Sequence, residues 1–388
     1  MSAQLDQVNI DRVIRDTLEL VRIPSKTGNS KDVADRLEQM LKEVGCSVER
    51  YEFYPNNPTL VAVYGEDHGG KTILFNGHMD VIPLDHAEPE VRDGRIYGRG
   101  TNDMKGSLAC FLETIRVLQE SGTVLPGRLM LVSNSLHESP GGRGEDLIAL
   151  TERVPLKADA VVVMEGATTE CTVAQLGSAT FEITIERDGE PSHQLHTAPG
   201  TPHPISVAAE VVALLDRWNV ELENDYIEDI GYASYFVGSI HSGQFYNQMP
   251  NKAEIVGVRR YNPVQKYEEV ESIMRGGLDE LAARFGVRIK LDLKKVRDGY
   301  RLDKDSEAVA ALRRAVVAVR NVEFPSVGKK LVTDAGILAN ALGVPALCHG
   351  PDQLTAHGDV EYVEIRELEL TVQVYARFVR EFMGLQTK

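Results

Sequence analysis

The chain is poor in cysteine, in long apolar runs and in positive charge. Its four cysteines, Cys46, Cys110, Cys171 and Cys348, are scattered over 388 residues with no Cys-x-x-Cys pair, which argues against a disulfide framework. No apolar run approaches the roughly 18 residues that a membrane-spanning helix needs. The opening stretch MSAQLDQVNIDRV has neither a basic n-region nor an apolar h-region, so no secretory signal is visible and a cytoplasmic protein without a membrane partner is expected. Lys and Arg number 42 against 58 Asp and Glu, a net charge of −16, which speaks against wholesale nucleic-acid binding. A small anionic substrate stays possible if arginines reverse the field locally. What is present is ordinary for a globular protein: 43% hydrophobic and 26% charged residues, with 33 Gly and 17 Pro. The length exceeds a comfortable single core, so two domains, or one core carrying a large insert, are expected.

Ile10, Val13, Ile14, Leu18 and Val21 recur at helical spacing before Pro24, and a second helix is predicted from Lys31 to Val44, with Gly45 just past its end. Short apolar runs at 60–64, 72–75, 129–132 and 160–164 suit strands buried on both faces, and 106–118 reads as a helix between them. The first part is therefore a doubly wound α/β domain with a mixed, largely parallel sheet. The character changes near Gly177. Phe181, Ile183 and Ile185 alternate with Thr180, Glu182, Thr184 and Glu186, as in a strand with one wet face. Helices at 205–218 and 264–285 and strands at 233–240, 253–260 and 287–293 complete a β-α-β-β-α-β order, the ferredoxin-like pattern. The buried style then returns, with a helix at 334–342, a strand at 345–348 and a last helix at 365–383. The predicted division is 1–175 and 298–388 for the α/β domain, interrupted by 176–297.

Several potential metal ligands sit just beyond predicted strands, where open α/β sheets place their crevice. His78 lies in Phe75-Asn-Gly-His-Met-Asp80-Val-Ile-Pro, and an Asp two residues on can orient or polarise the imidazole. Asp103 lies in Gly98-Arg-Gly-Thr-Asn-Asp-Met-Lys-Gly106, where, taken alone, it reads as a helix cap more readily than as a ligand. Glu138 follows the run at 129–132, Glu165 follows 161–164, and His357 lies in Thr355-Ala-His-Gly-Asp-Val-Glu361. These two histidines and three carboxylates suit Zn, Mn or Co. Spacing alone leaves each with a structural alternative: a solvated strand end for Glu165, a surface histidine for His357.

The pair Gly-His-Met-Asp-Val-Ile-Pro and Gly-Arg-Gly-Thr-Asn-Asp-Met-Lys-Gly closely resembles the signature of the M20 metallopeptidase and amidohydrolase family. That family includes glutamate carboxypeptidase, aminoacylase, succinyl-diaminopimelate desuccinylase and acetylornithine deacetylase, and the likeness extends over nearly the whole chain. The resemblance implies a catalytic α/β domain interrupted by a ferredoxin-like lid and dimerisation domain, hence a homodimer or higher oligomer. It implies one or two divalent metals per subunit, with His78, Asp103 and Glu165 on one, Asp103, Glu138 and His357 on the second, and Asp80 orienting the first histidine. It also implies that His193 of the insert reaches a neighbouring subunit's site and steadies the developing oxyanion. Asn247 and Arg259 would hold substrate, Arg259 through a bidentate pair with a carboxylate.

One departure stands out. The family's usual run is Asp-Glu-Glu, whose first Glu is the general base; here it is Leu136-His137-Glu138. Gly350-Pro-Asp352 and Gly336 depart less, from a usual Gly-Pro-Gly and a common Arg. His137 can still accept a proton, since an unperturbed imidazole titrates near pH 6.5. It reads three ways: the base of a modified hydrolase, a substrate-binding group in different chemistry, or a mark of lost catalysis. The function expected is hydrolysis of a C–N bond in a small carboxylate-bearing substrate, with metal-activated water as nucleophile. The alternatives are an aminohydrolase of an aromatic amine, a reaction the family performs on 5-nitroanthranilate, and a non-catalytic metal-binding scaffold.

Overall fold

The computed structural model describes residues 7–85, 87–138 and 141–385. It separates into two compact units. Unit 1 takes the chain up to Val173, Leu302–Val327 and everything from Thr333 on; unit 2 takes Ala174–Arg301 and Gly328–Val332.

In unit 1, α1 (Ile10–Arg22) opens at Asn9, whose side chain accepts from the Arg12 N–H, and ends two residues before Pro24. Next come α2 (Lys31–Glu43), β1 (Ser47–Tyr54), β2 (Asn57–Tyr64) and β3 (Thr72–His78). A tight turn over Thr101–Lys105 leads into α3 (Gly106–Glu120), followed by β4 (Arg128–Asn134), α4 (Glu145–Arg153) and β5 (Ala160–Val163). β1 escapes the sequence reading because its half-exposed side chains show no apolar face, as expected of an edge strand. The 101–105 turn and α4 lack a clean apolar period and are likewise not anticipated.

Unit 2 holds β6 (Gly177–Glu186), α5 (Pro204–Leu222), β7 (Ser234–Ser242), β8 (Lys252–Tyr261), α6 (Tyr267–Phe285) and β9 (Arg288–Arg297). The four strands form one antiparallel sheet in the order β7-β8-β6-β9. Phe181, Ile183 and Ile185 are buried with Val211 and Leu215 of α5 and Met274 of α6. The opposite face carries the polar residues of the alternation, such as Glu182, together with exposed Phe236 and Val256.

The chain returns to unit 1 as α7 (Glu307–Arg320), α8 (Ala335–Leu342), β10 (Ala346–Cys348) and α9 (Ile365–Phe382). The sheet order in unit 1 is β1-β2-β4-β3-β5-β10. β1, β2 and β4 pair antiparallel, whereas β4, β3, β5 and β10 run parallel, so those four end on the same edge. Helices α1, α3, α7 and α9 pack together, and α2, α4 and α8 cover strands of the same sheet. Phe75 of β3 locks one contact: its ring lies 5.3 Å from both Phe111 of α3 and Tyr375 of α9.

The segment after β4 is tied down by buried Asp146, whose carboxylate accepts from the Ser135 N–H (2.6 Å) and the Thr59 hydroxyl (2.9 Å). Burial pushes the Asp146 carboxyl up to about 7. The folded protein therefore holds a proton that the unfolded chain loses near pH 4, and stability falls as pH rises from there to about 7. Asp146→Asn, which keeps the acceptor and removes the ionisation, is expected to raise the melting temperature at pH 8 more than at pH 5. An equal effect at both pH values in thermal melts would contradict this.

Candidate metal centre

The parallel strands carry the site at their C-terminal edge. β3 ends in His78, β4 runs on to His137 and Glu138, β5 to Glu165, and β10 to the loop bearing His357. This is where helix-covered parallel sheets form their crevice.

Asp80, fully buried, organises the entrance. Its carboxylate accepts the backbone N–H groups of His137 (3.1 Å) and Glu138 (2.9 Å) and the Thr27 hydroxyl (2.8 Å). His78 Nδ1–H donates to the Asp80 backbone carbonyl (2.9 Å), with an Asp80 carboxylate oxygen at 3.4 Å. Asp80 thus orients the imidazole mainly through its main chain. His78 Nε2 then points at Asp103 Oδ1, 3.2 Å away.

Asp103 does not cap α3. Its backbone is non-helical, the helix begins only at Gly106, and the Asp103–Met104 peptide is cis. The turn is held by Glu361, whose Oε1 accepts the N–H groups of Gly100, Asn102 and Asp103 at 2.9–3.0 Å and whose Oε2 pairs with buried Arg99. Asp103 Oδ2 lies 3.2 Å from His357 Nε2, which is also 3.1 Å from Glu138. Gln353 donates to Asp103 Oδ1.

Among the described residues, two groups of ligand atoms each converge within 4.8 Å: His78, Asp103 and Glu138, and His78, His137 and Glu165. The second differs from the expected His78, Asp103 and Glu165. The His78 and His137 rings are parallel, 3° apart in tilt with centroids at 4.1 Å. Imidazole binds a metal through its in-plane lone pair, and stacked rings aim those lone pairs along separate planes, so His78 would hold an ion and His137 would be left as a neighbouring base. Glu165 supplies the clearest mark of a cation site: its Oε2 is buried without a hydrogen-bond partner. The nitrogen and carboxylate donors fit a divalent Zn, Mn or Co ion.

The electrostatics agree. Burial would raise the Asp103 carboxyl, but hydrogen bonds from His357 and His78 reverse this and hold it far below the ordinary carboxylate range. Those with Asp103 and Glu138 push His357 up to about 10. Burial works against protonation of His78 and His137, yet Asp103 and Asp80 raise the first and Asp334 the second. Glu165 is raised by burial, which His137 offsets in part.

In unit 2, His193 and Asn247 meet: Asn247 Nδ2 lies 3.2 Å from His193 Nε2, and their strands pair through Ser192–Met249 and His193–Gln248. Arg259 is not with them. It is 3% exposed on the helix-covered face, its guanidinium 4.2 Å from the Tyr235 ring centroid. Arg260, its neighbour, occupies the opposite face half-buried, with Nη1 lacking a partner. Asp334, Gln353 and Glu361 are the site residues that sequence reasoning missed. The only signal available was their closeness in sequence to quoted positions, since their partners lie some 200–260 residues away.

This fold and centre define a metal-dependent hydrolase class. The chain belongs to peptidase family M20/M25/M40, whose profile matches residues 74–381. It is 27% identical to the N-formyl-4-amino-5-aminomethyl-2-methylpyrimidine deformylase of Halalkalibacterium halodurans, over 95% of this chain and 93% of that protein. It is 26% identical to the succinyl-diaminopimelate desuccinylase of Methylobacterium radiotolerans, over 95% and 96%. Among solved structures, aminopeptidase PepT of Bacillus cereus superposes with a TM-score of 0.81 at 20% identity, covering 97% of this chain and 99% of that one. The M20 metallo-carboxypeptidase Sso-CP2 of Sulfolobus solfataricus gives 0.81 at 18% identity, covering 97% and 100%. At those identities the structural likeness is one of fold.

The raised histidines make metal uptake compete with protons. Affinity for Zn²⁺ or Mn²⁺ is expected to rise with pH from 6 towards 9, with protons released on binding at pH 7. Calorimetry in buffers of different ionisation enthalpy measures that release, and a value of zero would overturn the assignment. Glu361→Gln is expected to lower metal affinity by about tenfold to a hundredfold, as for other outer supports of a metal site. Unchanged affinity by competition with a chelator would remove Glu361 from that role.

Proposed function

We propose that the chain hydrolyses the C–N bond of a small carboxylate-bearing substrate in a metal-dependent reaction, with removal of a small acyl group from an amine as its main activity. The observation that carries this reading is the convergence of His78, Asp103, Glu138, Glu165 and His357 on one sheet edge, with Glu165 Oε2 left unpartnered. The deformylase and desuccinylase relatives support acyl-amine chemistry. One or two divalent ions would supply Lewis acidity and a nucleophilic water near neutral pH. His78, Asp103 and Glu165 would hold one, and Asp103, Glu138 and His357 the other. Asp80 keeps the 137–138 main chain and the His78 ring in place, and His137 carries the proton.

Unit 2 we read as the ferredoxin-like lid and dimerisation domain. Its β6-α5-β7-β8-α6-β9 order supports the first part, and exposed Phe236 and Val256 beside the free outer edge of β7 support a homodimer. By the family resemblance, His193 and Asn247 would offer an imidazole and an amide to a neighbouring subunit's site, and half-buried Arg260, not the buried Arg259, is the guanidinium free to meet a substrate carboxylate. The imidazole at position 137 favours a second reaction, release of ammonia from an aromatic amine with an ortho carboxylate.

A panel of N-formyl, N-acetyl and N-succinyl amino acids and amines, dipeptides and aromatic amino acids, assayed with Zn²⁺ or Mn²⁺ for freed amine or ammonia, tests the reading. Turnover of an N-acyl class is expected, lost with chelator and restored by metal. Ammonia from the aromatic amines alone would select the second reaction. Protein that takes up an ion yet turns over nothing would be the metal-binding scaffold, and uptake of neither ion would overturn the metal-dependent reading.

A further inference from the structure

We propose that Asp334 is a positioning residue that converts His137 into the proton carrier of the site. The inference rests on the hydrolytic reading above and names the residue that makes it workable.

His137 Nδ1 lies 2.9 Å from Asp334 Oδ2, and both side chains are almost fully buried. An ionised carboxylate only accepts hydrogen bonds, so Nδ1 carries the hydrogen and donates it. The Nε2 lone pair is thereby aimed the other way, to within 4.0 Å of Glu165 Oε1. Stacking on His78 and the hydrogen bond from the His137 N–H to Asp80 leave the ring little freedom. Asp334 is itself held from behind. Asn134 Nδ2 donates to its Oδ2, and Asn76 Nδ2 donates to Asn134 Oδ1. Although Asp334 directly precedes α8, its side chain makes no capping bond to that helix.

In the reaction, Nε2 takes a proton from the attacking water as its oxygen bonds to the substrate carbon. The resulting imidazolium is stabilised by Asp334. It returns the proton to the leaving nitrogen as the C–N bond breaks, so that neither residue is changed at the end.

The test uses Asp334→Asn, His137→Glu and the double variant in metal-loaded protein. Asp334→Asn is expected to lower kcat by about a hundredfold to ten-thousandfold, the worth of a proton-transfer group, with KM and bound metal unchanged. In the His137→Glu background the same substitution should cost almost nothing, because there is no imidazole left to orient. Independently of any substrate, proton NMR of the wild type should show a slowly exchanging downfield imidazole N–H resonance that both His137→Gln and Asp334→Asn abolish. Equal losses from Asp334→Asn in both backgrounds, or a loss that follows metal content, would reduce Asp334 to a structural role. If no C–N substrate is turned over, the hydrolytic reading fails by itself, while the resonance still decides whether the pair exists.

Discussion

Everything at this site depends on keeping several carboxylates together in a buried place. Asp80, Asp103, Glu138, Glu165 and Asp334 would repel one another and pay heavily for lost hydration if left alone. The chain offsets this with main-chain N–H groups, a hydroxyl, an amide and imidazoles. Asp80 takes two main-chain N–H groups and a hydroxyl, while Asp103 and Glu138 share His357, and Asp334 takes Asn134 and His137. Neutral dipoles and imidazoles leave the cluster with a negative surplus. Glu165 Oε2, with no partner, is where that surplus is plainest.

The scaffold explains why the donors are in reach. Four parallel strands deliver their C-terminal ends to one edge, so residues far apart in sequence become neighbours through strand order alone. The connecting turns then have to be stiff. Glu361 stiffens the turn bearing Asp103 from more than 250 residues away, and Asp146 stiffens the segment leading to His137. Neither touches the metal position. Both determine where its ligands sit.

The histidine at position 137 makes sense only in this company. On its own, an imidazole there costs the site a negative charge and an anionic proton acceptor. Placed between the His78 ring and the Asp334 carboxylate it acquires an orientation, a tautomer and a counter-charge. The altered residue in the motif thus meets an aspartate at the start of a helix nearly 200 residues later. The two are coupled by a single hydrogen bond.

How much of this could be read from the chain follows from the range of the forces involved. The buried runs at 72–75 and 129–132, the alternation at 180–186 and the ends of α1 and α2 were legible because hydrophobic period, proline and glycine act locally. The edge strand β1 and the turn at 101–105 were not, since half-exposed strands and irregular turns leave no period. His78, Asp103, Glu138, Glu165 and His357 stood out through motifs, that is, through residues close together in sequence. Amino-acid sequence by itself therefore determined the class of fold, the ligand types and the anomaly at His137. Tertiary structure alone decided that Arg259 is buried against Tyr235, that Glu361 shapes the Asp103 turn, and that Asp334 faces His137. Hydrogen bonds and ion pairs act over about 3–4 Å in space and carry no period along the chain, so only the folded chain reveals which of its many acids meets which histidine.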